Sequence, residues 1–419
     1  MIDFTKSAGF NLAARHRAET RFQWMGKGAI LLALAFLAWL IVTIAVGGYG
    51  ATKLVQIAIP VDLSATNIDP NNIAAARFGK IVKLGLRTRF PEVKKRKDKK
   101  KLYNLLSTEA SFELKRAILA DPKLLGGTRK IWFTASDTLS LYVRGKTNVS
   151  VPEDQRRISD KEIAWAADMQ KNAEIRTVFN WGFFTHGDSR EPEIAGILAA
   201  LIGTALSLAV CFLLSFPLGI AAATYLEQFA PANRLSDIIE VNINNLAAVP
   251  SIVFGLLGLS IFLGYFGLPR SSPLVGGMVL SLMTLPTIII ASRASLKSVP
   301  PSIKEAALAL GATPVQAVFH HVFPVALPGM LTGAIIGMAR ALGDTAPLLM
   351  IGMVAFIVDI PKSILAPATA LPVQIFLWSD SPERGFMEKT SAAIVVLLIF
   401  LIAMNLIAIL LRRKLEQRF

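Results

Sequence analysis

Six long apolar stretches limit what this chain can fold into. A helix needs about 20 apolar residues to cross the hydrocarbon core of a bilayer, where the backbone finds no hydrogen-bond partners outside the helix itself. The sequence therefore predicts an all-α polytopic membrane protein with six transmembrane helices. The stretches lie at roughly 28–47, 194–223, 245–265, 274–292, 328–357 and 391–411.

The charge balance agrees with a membrane location. Only 17% of the residues are charged, whereas soluble proteins average about 25%. The 44 Lys and Arg outnumber the 29 Asp and Glu, a surplus that often indicates nucleic-acid binding in a soluble protein. Here the basic residues gather at the ends of the apolar stretches and in one insert, so membrane topology explains them. We expect no nucleic-acid partner.

Residues suited to metal or redox chemistry are scarce. Cys211 is the one cysteine, which excludes a disulfide within the chain, and only four histidines occur. These numbers do not supply the ligands of a metal or redox motif. We therefore expect no metal, no cofactor and no catalytic residues.

Flanking cations predict the orientation. Four basic residues precede the first stretch and four follow the last, and such ends stay in the cytoplasm. Both termini are therefore expected there, with the segment 293–327 cytoplasmic and the region between the first two helices outside. The first stretch is too long for a signal-peptide core and is interpreted as an uncleaved signal anchor. The flanking cations are Arg15, Arg17, Arg21 and Lys27, then Arg412, Arg413, Lys414 and Arg418.

Three parts follow from this topology. Residues 1–47 form the cytoplasmic N-terminus and first helix, 48–192 an extracytoplasmic insert domain, and 193–419 a five-helix core. Mixed patterning predicts a small α/β fold for the insert. We expect helices near 73–89, 101–120 and 159–178, and strands at 130–135 and 139–144.

Two segments of the insert region have alternative interpretations. The basic cluster KKRKDKKK at 94–101 is a solvated surface stretch, or it contacts an acidic partner or lipid head groups. The stretch at 179–193 interleaves aromatic and polar residues, which is typical of an interfacial anchor. The alternative is a surface loop of the insert.

Proline and glycine divide the cytoplasmic segment. Residues 300–328 read PPSIKEAALALGATPVQAVFHHVFPVALP. Pro301 can begin a helix that Gly311 ends, and Thr313 can cap a second helix. Pro324 and Pro328 are predicted to end that second helix before the fifth apolar stretch.

This segment resembles the coupling-helix motif of permeases in ABC importers. The resemblance rests on Glu305-Ala306-Ala307, then Gly311, then Pro324. It implies that Glu305, Ala306, Ala307 and Gly311 dock in a groove of an ATPase subunit. His321 departs from the branched apolar residue usual near the end of the motif. The alternative is an amphipathic surface helix without a partner.

Four longer segments resemble the phosphate-specific permease family PstA. They lie at 248–262, 282–312, 326–356 and 371–386. The resemblance implies a permease subunit in the bacterial inner membrane, which imports inorganic phosphate. It also implies an ATPase dimer, a second, PstC-like permease and a periplasmic phosphate-binding protein as partners. No GxxxxGK[ST] loop occurs, so ATP hydrolysis is expected on a separate subunit and the chain is not expected to be an enzyme.

Two other functions stay open. The cargo could be another oxyanion, such as sulfate, molybdate or phosphonate. A membrane-anchored phosphate sensor is a different class, and the lack of a cytoplasmic output domain after the apolar stretches argues against it.

Arg340 and Asp344 are the principal substrate-pathway candidates. Arg340 follows Pro328 by twelve residues, which is roughly 18 Å along a helix and near the middle of a core about 30 Å thick. Charges at that depth usually line a polar pathway. The guanidinium matches phosphate oxygens, and an ionised Asp344 would accept a hydrogen bond from protonated phosphate but repel sulfate. Similar permeases commonly carry glutamate at the acidic position. Alternatively, the two side chains neutralise each other.

Further pathway residues follow from proline positions. Pro347 predicts a break near Thr345 and a half-helix whose N-terminus faces the site, with Thr345 as a cap or ligand. Ser251 beside Pro250 and Thr287 beside Pro286 are weaker candidates. Small residues recur every four positions at 329, 333, 337 and 341. They indicate either an interface with a related subunit or packing within this one.

Overall fold

The computed structural model describes residues 12–64, 76–354 and 356–415. Within them, five helices are long and apolar enough to cross a bilayer, and a bent helix pair makes a sixth candidate. The predicted all-α polytopic fold is therefore confirmed. The five are α1 (Leu12–Gly48), α8 (Leu198–Gln228), α11 (Pro273–Lys297), a continuous helix Pro314–Gly343 that includes α14 (Phe323–Gly343), and α17 (Arg384–Leu415).

The bent pair corresponds to the third apolar stretch. Helix α9 (Arg234–Ala247) meets α10 (Ser251–Gly258), which continues as a π-helix to Tyr265, at an angle of 99°. Pro250 lies at the bend. The predicted start at 245 falls inside α9, which has no buried residues and is amphipathic. The apolar helix therefore begins six residues later than predicted.

Helix α11 is the centre of the bundle, between α8 and α14. It runs parallel to α8: Gly277 of α11 meets Val210 of α8, and further along both helices Ile288 of α11 meets Gly219 of α8. It runs antiparallel to α14, where Gly333 meets Ala291 so closely that an added Cβ would lie 2.3 Å from the Ala291 side chain.

The stripe of small residues on α14 therefore packs within the subunit. Gly329 lies against Ser295, and Gly337 lies against Thr284 and Ile288, all of α11. Ala341 is 1% exposed and belongs to the same buried cluster of the bundle. The spacing left open an interface with a related subunit or packing within this one. In the structure, the stripe packs within this subunit.

Helix α1 contacts the rest of the chain chiefly near its C-terminal end. There Gly48 packs against the backbone of Ala392 and Gly47 against Ser391 on α17. The window of α1 that could span the membrane has no buried residue. Most of this helix is therefore free to contact lipid or another subunit.

The fifth span corrects one prediction and confirms another. Neither Pro324 nor Pro328 ends the helix. A wider π turn at Val318–Val322 leaves room for the ring of Pro324, and Pro328 lies inside α14. The predicted break is confirmed: α14 ends at Gly343, Asp344 is extended, and α15 (Ala346–Met350) follows. However, α15 has only five residues.

The insert contains a three-stranded antiparallel sheet in the order β2-β1-β3. The strands are β1 (Lys53–Asp62), β2 (Thr128–Thr134) and β3 (Ile175–Phe179). Gln56 pairs with both Thr134 and Arg176, so β1 is central. The helices are α2 (Phe78–Arg89), α3 (Arg96–Tyr103), α4 (Ala110–Ala120), α5 (Asp137–Val143), α6 (Asp160–Lys171) and α7 (Trp181–Thr185).

The predicted α/β class of the insert is confirmed, and several of its elements are corrected. The strand predicted at 130–135 is β2. The strand predicted at 139–144 is wrong, because this segment lies mostly in α5; its short apolar run is compatible with both a strand and a helix. The helix predicted at 159–178 ends at Lys171, since Ala173 has a positive φ of 54° and β3 follows. The helix predicted at 101–120 is split into α3 and α4, and residues 73–75 of the first predicted helix lie outside the described residues.

Three short helices complete the core. They are α12 (Pro301–Ala309), α13 (Pro314–Ala317) and α16 (Leu371–Ser379). The first two form the predicted cytoplasmic segment. The division of the chain at residues 47 and 192 stays a prediction.

Candidate functional site

Arg340 lies halfway along the bundle. Gly329 opposes Ser295 and Gly333 opposes Ala291, and continuing this antiparallel register places Arg340 level with Thr284. That residue is near the middle of α11. Arg340 is exposed on the surface of the subunit. Its guanidinium has no ion-pair or hydrogen-bond partner in the part of the chain that the structure describes.

Asp344 does not share a helical face with Arg340. The helix ends at Gly343, so the expected four-residue spacing no longer applies. The half-buried Asp344 side chain accepts a hydrogen bond from the backbone N–H of Ala346 at 3.3 Å. No ion pair joins Asp344 to Arg340 among the described residues, so the mutual neutralisation considered above is absent.

Thr345 does not cap the short helix α15 with its side chain. Its position is the N-cap, but it makes no side-chain capping bond, and Asp344 accepts the bond instead. The role of Thr345 as a cap is thus corrected. Its role as a ligand stays a prediction.

Ser251 and Thr287 lie at a similar depth. Gly255 meets Pro347 and Gly258 meets Ile351, so α10 and α15 run in the same direction. One turn earlier, Ser251 is level with the break at Asp344. Thr287 lies on α11, within one turn of the Thr284 level, and is half-buried. These side chains thus share one layer of the bundle, and their role in a pathway stays a prediction.

The turn between α12 and α13 forms as the sequence predicts. Helix α12 ends before Gly311, whose φ is +90°, and Thr313 and Gln316 form a reciprocal capping box at the start of α13. Glu305, Ala306 and Gly311 are exposed, while Ala307 is buried. Ala307 therefore holds α12 in place rather than contacting a partner.

An apolar patch surrounds these exposed residues, and sequence reasoning missed it. Leu310 is 90% exposed, and Leu308, Val315 and Phe319 are also exposed. A solvated surface rarely shows a large contiguous apolar patch, which usually marks an interaction site. The signal in the sequence was apolar residues at 308, 310, 315 and 319 in a segment expected in water.

Polar side-chain contacts connect α8 with three other helices, directly or through Arg293. Arg293 of α11 donates to Glu240 of α9 at 2.9 Å and to Glu227 of α8 at 3.4 Å. Lys304 of α12 donates to Gln228 of α8 at 2.9 Å. Movement of α12 would therefore be transmitted to the inner end of α8. Sequence reasoning missed this network because its members are far apart in the chain.

The insert is attached to the N-terminal end of α17 by a second set of charges. Arg144 pairs with Glu388 and also donates to the backbone oxygen of Gly50 at 2.7 Å. Lys146 pairs with the other oxygen of Glu388 at 2.5 Å. Lys389, 4% exposed, donates to the backbone oxygen of Ala195. The adjacent charges Glu388-Lys389 at the start of an apolar stretch were the signal for this junction.

Glu193 lies in the same junction, just before α8. It is 8% exposed. Burial raises the pKa of its carboxyl to about 7, because desolvation disfavours the charged form. The junction thus contains a group that titrates near neutral pH.

Comparison with known proteins agrees with this architecture. Residues 215–419 match the model of the binding-protein-dependent transport system inner membrane component, and residues 10–153 match a domain of unknown function, DUF3333. The phosphate transport system permease protein PstA 1 of Mycobacterium tuberculosis H37Rv is 32% identical over 236 residues, or 55% of this chain and 75% of that protein. The chain belongs to the PstA family of ABC importer permeases.

The chain is also similar to a further PstA protein and to a solved transporter structure. The phosphate transport system permease protein PstA of Pasteurella multocida is 28% identical over 52% of this chain and 76% of that protein. An inward-facing structure of the MetNI methionine ABC transporter covers 53% of this chain and 95% of its own, with 19% identity and a TM-score of 0.41. As a PstA-family member, the chain is a membrane-embedded transport subunit.

Stability of this PstA-family permease should depend on pH through Glu193. Its pKa is about 7 in the folded protein, against an ordinary value of 4.5. Between these values the folded state holds a proton that the unfolded state has lost, so this group's contribution to the free energy of unfolding falls as pH rises. Glu193→Gln removes that fall. Its Tm advantage over the wild type in detergent should therefore be larger at pH 8 than at pH 5.

The exposed Glu92 provides the control, since Glu92→Gln changes the net charge equally. It should shift Tm by the same small amount at both pH values. An advantage of Glu193→Gln that does not change with pH would contradict the assignment.

Proposed function

We propose that this chain is the phosphate-translocating permease subunit of an ATP-driven importer. The observation that carries the proposal is the guanidinium of Arg340 at mid-depth in a membrane bundle, without a partner among the residues that the structure describes. An isolated charge there costs a few kcal/mol or more and is usually functional. The similarity to phosphate transport system permeases supports phosphate as the cargo.

Arg340 would bind the anion on a face that a second permease covers. Ile336 precedes Arg340 by one turn and is 58% exposed, so the same face carries an apolar side chain and a cation. A related, PstC-like permease packed there would enclose the guanidinium in a pathway between the two subunits. Fork-like N–H donors of arginine match two oxygens of phosphate.

Asp344 would discriminate between protonated and fully ionised anions. It lies at the break after α14, with one oxygen engaged by the N–H of Ala346. The other oxygen is available to accept a hydrogen bond from monohydrogen or dihydrogen phosphate. Sulfate carries no proton to donate at neutral pH and would be repelled. Thr345, Ser251 and Thr287 supply hydroxyl groups in the same layer.

The cytoplasmic segment would dock on the ATPase subunits. Glu305, Ala306 and Gly311 would contact the groove of an ATPase directly, and the exposed Leu310, Val315 and Phe319 would extend that contact. Ala307 would act from beneath by fixing α12. ATP hydrolysis then resides on a separate ATPase dimer, and closure of that dimer moves α12 and, through Lys304, the end of α8.

This arrangement implies a defined topology. Both termini and the segment 293–327 lie in the cytoplasm, while the insert at 48–192 lies outside the inner membrane. A periplasmic phosphate-binding protein would deliver the cargo from that side. The positive flanks of the first and last helices support this orientation.

Replacing Arg340 tests the pathway. Arg340→Ala should abolish phosphate uptake, because the anion loses a cation at mid-depth. The complex should still assemble, because the Arg340 side chain has no partner within the described residues that the substitution would leave unpaired. Uptake of radioactive phosphate into cells lacking the endogenous gene measures transport, and copurification of the subunits measures assembly. Arg413→Ala, an exposed arginine at the end of α17, should retain uptake. Normal uptake by Arg340→Ala would remove Arg340 from the pathway.

Neutralising Asp344 tests the cargo. Asp344→Asn retains an oxygen that caps Ala346 but removes the charge. Sulfate should then compete with phosphate uptake at least tenfold more effectively than in the wild type, in an uptake assay with unlabelled sulfate. Asp359→Asn, a carboxylate outside this layer, should not change competition. Unaltered sulfate competition in Asp344→Asn would refute this role.

Straining the turn after α12 tests coupling. Gly311 has a φ of +90°, where a β-branched residue costs about 1–2 kcal/mol. Gly311→Val should therefore shift the docking surface and reduce uptake severalfold more than ATPase activity, measured together in proteoliposomes of the whole complex. Glu305→Lys should act in the same direction through charge.

Gly267 is the matched control for this strain. Its φ is +63°, and a Cβ there would meet no atom within 4 Å, as at Gly311. Gly267→Val should leave the ratio of uptake to ATP hydrolysis unchanged. An unchanged ratio in both Gly311→Val and Glu305→Lys would count against docking through this segment.

A further inference from the structure

The insert carries most of the positive charge of the chain. Between residues 48 and 192 there are 26 Lys and Arg against 16 Asp and Glu, whereas the whole chain has a net charge of +15. The excess is concentrated in α2 and α3, which include Lys83 and Lys100. Such a field attracts anions to the insert, and the transport pathway makes no use of it.

A cavity of about 400 Å³ opens between α2, α3 and the start of α4. No Asp or Glu lines it. Two lysines line it, Lys83 and Lys100, and neither has a carboxylate partner within the described residues. The ammonium group of Lys83 lies 5.5 Å from the centroid of the Tyr103 ring.

Several hydroxyl and amide groups face the same cavity without partners. The side chains of Asn104, Thr108 and Ser111 line it, and none makes a side-chain hydrogen bond in the described part of the chain. The Tyr103 hydroxyl, also in the lining, accepts a hydrogen bond from Arg87 and so lies next to a third cation. Ammonium and hydroxyl donors around a space without acidic groups suit an anion with several acceptor oxygens.

The cavity is larger than an inorganic anion requires, and part of its wall is apolar. Its volume equals that of about a dozen waters in the liquid, and pockets for small organic ligands begin at about 300 Å³. Val82, Leu86 and Leu106 form the apolar wall, and each is at most 7% exposed. The ligand therefore has an organic part next to its anionic group.

We propose that this cavity binds an organic phosphate, with the phosphate group held by Lys83, Lys100 and the neighbouring hydroxyls and the organic part against Val82, Leu86 and Leu106. The site is independent of the transport pathway and does not rest on the identity of the cargo. A soluble phosphate ester and the head group of an anionic phospholipid share this chemistry. Lys83 and Lys100 are exposed like Lys94 and Lys97, but only the first two line the cavity.

The test is ligand binding to the full chain in its purified membrane complex, measured by calorimetry. The probes are glycerol 3-phosphate, vesicles of phosphatidylcholine with phosphatidic acid, and inorganic phosphate. We expect one of the two organic probes to bind, and the double variant Lys83→Gln/Lys100→Gln to weaken it at least tenfold. Binding of glycerol 3-phosphate indicates a soluble ligand, and binding of the vesicles alone indicates a lipid.

Matched variants separate the cavity from general electrostatics. Lys94→Gln/Lys97→Gln removes the same charge from exposed positions outside the cavity and should change the affinity less than twofold. Gly79→Leu places a side chain into the cavity without removing charge and should also abolish binding. Arg340→Ala should leave this binding intact even where it abolishes uptake.

Three results would overturn the proposal. These are no binding of either organic probe at millimolar concentration, equal losses in the two double-lysine variants, or inorganic phosphate bound as tightly as its ester. Failure of phosphate uptake in the Arg340 experiment has no bearing on any of them.

Discussion

Close packing of α11 against its neighbours is the constraint on which the rest of the structure depends. Glycines on α8 and α14 meet α11 side chains at distances that leave no room for a Cβ. The register is therefore fixed, and with it the depth of every residue on α14. Arg340 is held at the middle of the bundle by contacts on the opposite side of its own helix. A permease needs this rigidity, because the position of a charge in the membrane decides what it can bind.

The features that could be predicted from the sequence are those set by local chemistry. Apolar length predicted the spans, Pro347 predicted the break near Thr345, and Gly311 with Thr313 predicted the turn after α12. The candidate layer of Arg340, Asp344, Ser251 and Thr287 followed from the same local signals. Each rests on the conformational limits of a few adjacent residues, which act the same way in any fold.

The features that could not be predicted depend on residues distant in the chain. Strand β1 lies between two partners more than 60 residues away, and its pairing left no local signal. Helix α14 continues through Pro324 because a π turn precedes it, a compensation that local rules do not anticipate. The junction of Arg144 and Lys146 with Glu388 joins residues about 240 positions apart. Charge alone could not indicate which partners would meet.

The contact between α1 and α17 has a consequence for biosynthesis. Helix α1 precedes the other described spans in the chain, yet it packs against α17, the last of them, through Gly47 and Gly48 at its C-terminal end. Throughout synthesis of the insert and four further spans, α1 must remain in the bilayer without its partner from this chain. Its apolar surface is compatible with this, since lipid can surround the helix until α17 is in place. The contact between α1 and α17 therefore forms only after α17 has been synthesised, and truncation before α17 removes it.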